Sequence, residues 1–224
     1  YEGSLVGSGI HTNDVVGIQV LTNGRGYWMV TSTGQVYAYG QAKSYGSANA
    51  VVPVVGIAAT PDGLGYWLID QNGDIWRMGD AHYYGSPISM GLNVHNIVAM
   101  VSTADGKGYY VATATGTVYS FGDASFHDQV MAPFGSATVS IALDSVTGGF
   151  WLVSATGGIF AFHAHYYGGS PSGRSYPIVG MASTPDSGGY WLVNSHGTVF
   201  VHGDAALLGS VPSSAAPLAG IASD

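Results

Sequence analysis

Gly65-Tyr66-Trp67-Leu68-Ile69-Asp70-Gln71-Asn72-Gly73-Asp74-Ile75-Trp76-Arg77-Met78-Gly79-Asp80-Ala81 reads as a strand, a tight turn at Asn72-Gly73, and a second strand closed by a Gly-Asp-Ala corner. Gly73 supplies the positive φ that such a hairpin turn needs. The same pattern is written four more times. Its leading aromatic pair recurs as Tyr27-Trp28, Tyr66-Trp67, Tyr109-Tyr110, Phe150-Trp151 and Tyr190-Trp191, at intervals of 39, 43, 41 and 40 residues. The corner column, Gln41, Asp80, Asp123, Ala164 and Asp204, keeps those same intervals. Two columns that drift together mark a true internal repeat, and repeats of this length mark stacked architectures.

Around each hairpin lie two shorter pieces. Upstream is an apolar, small-residue run: Val16-Gly17-Ile18, Val55-Gly56-Ile57, Val98-Ala99-Met100, Val139-Ser140-Ile141 and Val179-Gly180-Met181. A sixth copy, Ala219-Gly220-Ile221, stands alone at the C-terminus. Near-continuous apolarity suits a strand covered on both faces. Downstream is an aromatic-Gly-Ser piece, as in Tyr45-Gly46-Ser47, Tyr84-Gly85-Ser86 and Leu208-Gly209-Ser210, with an extra copy at Tyr1-Glu2-Gly3-Ser4. Turns of the Thr60-Pro61-Asp62-Gly63 type, repeated at Thr184-Pro185-Asp186-Ser187 and loosely at Ala104-Asp105-Gly106, join the first two strands.

Four short strands in roughly 40 residues match one blade of a β-propeller, which must pack against others of its kind to bury its two apolar faces. The expectation is an all-β chain, nearly helix-free, with about five four-stranded blades over approximately 15–47, 54–86, 97–129, 138–170 and 178–210. Small residues would crowd the axis, and large aromatics would fill the widening wedges. The count does not close neatly, because 1–14 and 211–224 are surplus copies of one strand-four-to-strand-one junction. The alternatives are an open or larger repeat assembly, a window of a longer array, or spare edges that pair with another molecule.

The joint pattern of Val-Val-Gly-Ile-Ala-Ala-Thr-Pro-Asp-Gly, Gly-Tyr-Trp-Leu and Gly-Asp-Ala with an aromatic-Gly-Ser end resembles tandem repeats of secreted and cell-surface actinobacterial proteins, where they often accompany peptidoglycan or glycan hydrolase domains. The resemblance covers essentially the whole chain. It implies a surface-exposed propeller and assigns no catalytic or binding residue. Unit four departs from it at Val146-Thr147 and His163-Ala164-His165, and unit three at His127-Asp128-Gln129.

Composition narrows the function. The 224 residues carry a net charge of −8, which opposes nucleic acid and anionic membrane surfaces. No apolar run approaches the ~18–20 residues of a helical membrane span. There is no cysteine, hence no disulfide, thiolate ligand or thiol nucleophile. Charged residues are only 8% of the chain, and this low charge with many Ser, Thr, Tyr, Asn and Gly side chains points outside the cell or to its surface. The chain opens in mid-repeat at Tyr1 without a signal-peptide pattern, which reads as a processed or trimmed N-terminus.

A site should show where the repeat breaks. A glycoside hydrolase needs two carboxylates at one place, commonly near the axis. The axial strands hold none, and the non-repeating acids Asp14, Asp70, Asp74, Asp128 and Asp144 fall in different parts of different blades. Repeated Asp80, Asp123 and Asp204 suit corners that accept turn hydrogen bonds. His163 and His165 are two apart and would share a face on a strand, but two histidines alone make no metal site. No cofactor, metal or catalytic residue is assigned, and the chain is read as a non-enzyme.

The outer corners remain. His82, Tyr83, Tyr84, Phe126, His127, Tyr166 and Tyr167 place aromatic rings beside polar groups, a chemistry that stacks on sugar faces and bonds hydroxyls without charge. The competing reading is that these rings cap the blade edge and hold strand four. The expected partner is therefore a glycan or cell-wall polymer. Self-association through the terminal strands is the alternative, and a hydrolase the third reading.

Overall fold

The structure is a computed structural model and describes residues 2–125, 130–131, 135–170, 176–211 and 217–223. It is all-β, with five antiparallel sheets in chain order. Sheet one holds β1 (Val15–Val20), β2 (Gly26–Thr31) and β3 (Val36–Gly40), and sheet two β4 (Val54–Ala59), β5 (Gly65–Asp70) and β6 (Ile75–Gly79). Sheet three holds β7 (Ile97–Ser102), β8 (Gly108–Thr113), β9 (Thr117–Gly122) and a two-residue β10 (Val130–Met131). Sheet four holds β11 (Thr138–Leu143), β12 (Phe150–Ser154) and β13 (Ile159–Phe162). Sheet five holds β14 (Ile178–Ser183), β15 (Gly189–Asn194) and β16 (Val199–Gly203). Among the described residues helix is confined to two single 3-10 turns, Val6–Ser8 and Ile88–Met90.

All five sheets share one irregularity. The ladder between the first and second strands slips after its first pair, between Val15 and Gly17, Val54 and Gly56, Ile97 and Ala99, Thr138 and Ser140, and Ile178 and Gly180. A bulge of this kind sharpens the local twist. The residue there is small because its own second strand and the next sheet both press on it: a Cβ on Gly17 would stand 3.1 Å from Val30 Cγ1 and 3.2 Å from Ile57 Cγ2.

Four of the five sheets have three strands, which corrects the expected four. The aromatic-Gly-Ser piece does not form a ladder. Gly46 sits at φ +127° and turns the chain out of the extended region. What remains is a pair of bonds, with the Ser47 hydroxyl accepting from Val36 N–H at 3.0 Å and Gly34 C=O accepting from Ala48 N–H at 3.0 Å. Ser210 and Gly197 repeat this arrangement on Val199 and Val211. Among the described residues a paired fourth strand exists only where Val130 and Met131 pair with Val118 and Thr117.

The core lies between sheets, not within them. One apolar cluster joins sheets one and two around Trp28, Val54, Tyr66 and Leu68. The next joins sheets two and three around Trp67, Ile97, Met100 and Tyr109. The third gathers Tyr110, Phe150 and Leu152, and the fourth Trp151, Ile178, Tyr190 and Leu192. Period-2 alternation sends the two members of each aromatic pair to opposite faces, so Tyr66 packs backward and Trp67 forward.

The first strands pack side by side in the order β1, β4, β7, β11, β14, and β14 makes no contact with β1. They line an uncharged central cavity of about 240 Å3, together with residues 219–223. The surplus segments are not regular strands: 1–14 contributes the Val6–Ser8 turn, and the described part of 211–224 carries no ladder.

Candidate functional site

The outer corner after β6 is built from the indole outward. Trp67 is fully buried, and its Nε1–H donates to the His82 carbonyl at 2.6 Å, which fixes the chain just past the Gly-Asp-Ala corner. Two residues on, Tyr84 turns inward. Its ring meets Trp67 at 6.4 Å and Tyr109 at 5.8 Å, and its hydroxyl donates to the Gly106 carbonyl at 3.1 Å in the next sheet. Tyr109 completes the clasp, accepting from Tyr84 N–H at 3.2 Å and donating to the Gly85 carbonyl. With Tyr84 facing in, its extended neighbour Tyr83 faces out. Tyr83 is 44% exposed, with its hydroxyl donating to Ser86 Oγ at 3.0 Å. His82 is exposed beside it.

The corner after β13 repeats the arrangement. Trp151 Nε1–H donates to the His165 carbonyl at 2.8 Å. Tyr167 turns inward between Trp151 and Tyr190, donates to the Ser187 carbonyl at 3.0 Å, and packs its ring 4.7 Å from that of His165. Tyr166 faces out and is 57% exposed. Of the expected site residues, Tyr84 and Tyr167 are therefore inter-sheet clasps, while His82, Tyr83 and Tyr166 present free surface. Phe126 and His127 lie outside the described residues.

Neither Tyr83–Ser86 nor Tyr166–Ser170 carries an acidic or basic side chain, although Asp80 borders the first corner. Burial pushes the Tyr109 phenol well above its ordinary range, with the phenols of Tyr83 and Tyr84 adding to the effect. Burial likewise pushes Tyr190 up to about 12, with Tyr166 and Tyr167 as lesser neighbours. An outward phenol beside backbone groups and a serine hydroxyl can stack on a flat apolar face and exchange hydrogen bonds with hydroxyls.

The carboxylates are committed elsewhere. Asp62, Asp105 and Asp186 close turns by accepting from the N–H of Leu64, Lys107 and Gly188, and those bonds hold each of them below the usual carboxylate range. The corner residues Asp80, Asp123 and Asp204 accept from threonine hydroxyls, those of Thr60, Thr103 and Thr184 at 3.2–3.3 Å, and not from the turn N–H groups expected for them. Buried Asp70 and Asp144 cap hairpin and turn N–H groups of their own sheets. His163 and His165 are not on a strand: β13 ends at Phe162, and His163 takes φ +49° in the bend that follows. Among the described residues no three His, Asp or Glu side chains gather in a metal-binding group.

Two features escaped the sequence reading. Ile88 and Met90 stand exposed on the short turn after Ser86, extending the Tyr83 corner with apolar surface. Tyr176 stacks on His196 at 4.3 Å and 6° between ring planes. His196 occupies the turn column of Asn72, but Ile88, Met90 and Tyr176 fall in no repeated column, so periodicity carried no signal for either feature. Compared with known proteins, the chain matches no family model and no curated sequence.

Proposed function

We propose that the chain is a non-enzymatic β-propeller of the cell surface or extracellular space, of about five blades, that binds glycan or cell-wall polymer at its outer corners. The observation that carries this reading is the equivalent exposure of Tyr83 and Tyr166 on two different sheets. Each ring projects from backbone pinned by a buried indole and a buried tyrosine clasp, so it meets a ligand preorganised. Two shallow sites on one rigid frame suit a repetitive polymer, where weak contacts add through effective concentration. Retention on insoluble peptidoglycan and on a neutral-glycan array tests it, with Tyr83→Ala/Tyr166→Ala beside the parent. The expectation is a loss of about tenfold or more in retention, the equivalent of about 1.4 kcal/mol. No retention of the parent, or equal retention of both proteins, overturns it.

A second reading has its own observation. The outer faces of sheets one and five leave partly open positions that the described internal junctions bury, which favours a structural protein joined to other chains through its terminal strands. Sedimentation across a hundredfold range of concentration tests it, a concentration-independent monomer counting against it.

A further inference from the structure

Each internal junction repeats one set of contacts. The first strand of every following sheet donates to the preceding hairpin, Val54 N–H to Ser32 C=O at 2.8 Å, Ile97 to Gln71 at 3.1 Å, Thr138 to Ala114 at 2.9 Å and Ile178 to Ala155 at 2.9 Å. The C-terminal residues continue the series in register. Leu218 N–H donates to Ser195 C=O at 3.0 Å. Ser223 Oγ donates to Ser183 C=O at 2.7 Å, as Ser102 Oγ does to Ala59 C=O at 3.0 Å. Residues 218–223 therefore hold the first-strand position of a sheet after the fifth.

The N-terminus holds the opposite position. Tyr27 donates its hydroxyl to Gly3 C=O, as Tyr66 does to Gly46, Tyr109 to Gly85 and Tyr190 to Gly168. Glu2 lies against Gly40 where Tyr45, Tyr84 and Tyr167 lie against Gly79, Gly122 and Gly203. Glu2–Ser4 is thus the aromatic-Gly-Ser segment of a sheet before the first. The positions between these two ends are open. Trp191 is partly exposed, whereas Trp28, Trp67 and Trp151 are fully buried. Leu208 is 88% exposed where Tyr84 and Tyr167 are clasped. Met29 is half-buried while its counterparts Leu68, Val111, Leu152 and Leu192 are sealed. A cavity of about 660 Å3 separates Val15, Gly17, Ile18 and Met29 from Leu218–Gly220.

We infer that this gap is a docking slot for a two-stranded β-hairpin of the repeat's own pattern, with its aromatic pair entering between Trp191–Leu208 and Met29. The hairpin would pair with residues 218–223 on one edge and meet Glu2–Ser4 on the other, completing one more sheet. Continuity with four filled junctions argues for this occupant over an unrelated strand: the tyrosine of such a pair finds the Gly209 carbonyl where Tyr66 finds Gly46, and its indole fills apolar space. The inference rests on the second reading above and names what does the joining.

Because the chain has no cysteine, Leu208→Cys gives a single thiol reporter at the slot, and Val51→Cys, 99% exposed and remote, a control. The probe is a synthetic peptide of residues 60–81, with a Tyr66→Ser/Trp67→Ser version beside it. With peptide at about ten times its Kd, maleimide labelling at 208 should slow about tenfold and labelling at 51 not at all. A free hairpin is only marginally folded, so a second protein carries residues 60–81 covalently in place of Asp224, where effective concentration removes that handicap. Protection at 208 in either format, absent with the serine version, supports the inference. Unprotected labelling in both formats overturns it. If the chain self-associates while both formats leave 208 unprotected, the terminal-strand reading stands and the hairpin occupant falls. If the chain also stays monomeric, both fall.

Discussion

The junction between sheets two and three and the outer face of sheet five are written with nearly the same residues and end in different states. At the junction Trp67 is fully buried, its corner is clasped by Tyr84 and Tyr109, and Met100 and Ile97 close the wedge. At the outer face Trp191 makes the same hydrogen bond, Nε1–H to Ala206 C=O at 2.8 Å, yet stays partly open beside an exposed Leu208. The local conformation belongs to the repeat, and the burial belongs to the neighbour. The energy of this fold is therefore held largely between sheets, in the nearest-neighbour manner of stacked repeats.

The largest expected contrast follows from that. Trp67→Ala should cost about 3–5 kcal/mol in urea unfolding, and Trp191→Ala less than about half as much, because only the first leaves a sealed cavity. Equal costs would break the comparison.

The clasp gives the next contrast. Tyr84→Ala should destabilise by about 2–4 kcal/mol through lost packing and an orphaned Gly106 carbonyl. Tyr83→Ala, one residue away, should stay within about 0.5 kcal/mol. Such a pair of results would also clear Tyr83 for use in binding tests without concern for folding.

Tyr66→Phe should cost about 1–3 kcal/mol, since it strands the Gly46 carbonyl and the Tyr45 N–H in a covered junction. Tyr27→Phe removes the equivalent bond to Gly3 at the open end. Its main effect should be faster amide exchange and proteolysis within residues 2–8, with a smaller loss of stability.

The smallest effect concerns one carboxylate. Asp70 Oδ1 accepts from Asn72 and Asp74 N–H at 2.9 Å each, and Asn194 does the same in sheet five for His196 and Thr198. Burial raises the Asp70 carboxyl above its ordinary value. The folded chain therefore holds that proton more tightly than the unfolded one, so ionised Asp70 costs stability at neutral pH, and the cost fades as pH falls through the raised folded value towards the ordinary one. Asp70→Asn should gain up to about 1 kcal/mol at pH 7 and nothing in acid, read as melting temperature against pH. Asp62, Asp105 and Asp186 have the opposite sign: their stabilisation is present above the ordinary carboxylate range and is lost as pH falls through their lowered values.

Much of this was legible in the chain. The aromatic pair, the Asn72-Gly73 type of turn and the Gly-Asp-Ala corner locate the second and third strands because alternation and glycine placement are local rules. The fourth strand was not legible. Whether Tyr45-Gly46-Ser47 forms a ladder depends on Gly46 φ and on a serine hydroxyl standing in for backbone, and neither leaves a periodic trace. Nor could the sequence divide Tyr83 from Tyr84 or Tyr166 from Tyr167. Adjacent identical residues differ only in which one the next sheet clasps.

By itself the sequence determined a repeated antiparallel sheet, the small first strands and the absence of charge along those strands, since each follows from contacts within about 40 residues. Only the tertiary structure decided which aromatics are sealed and which exposed, and that the terminal copies flank one gap. Burial is set by a neighbouring sheet some 40 residues away, and at the two ends the described residues supply no such neighbour.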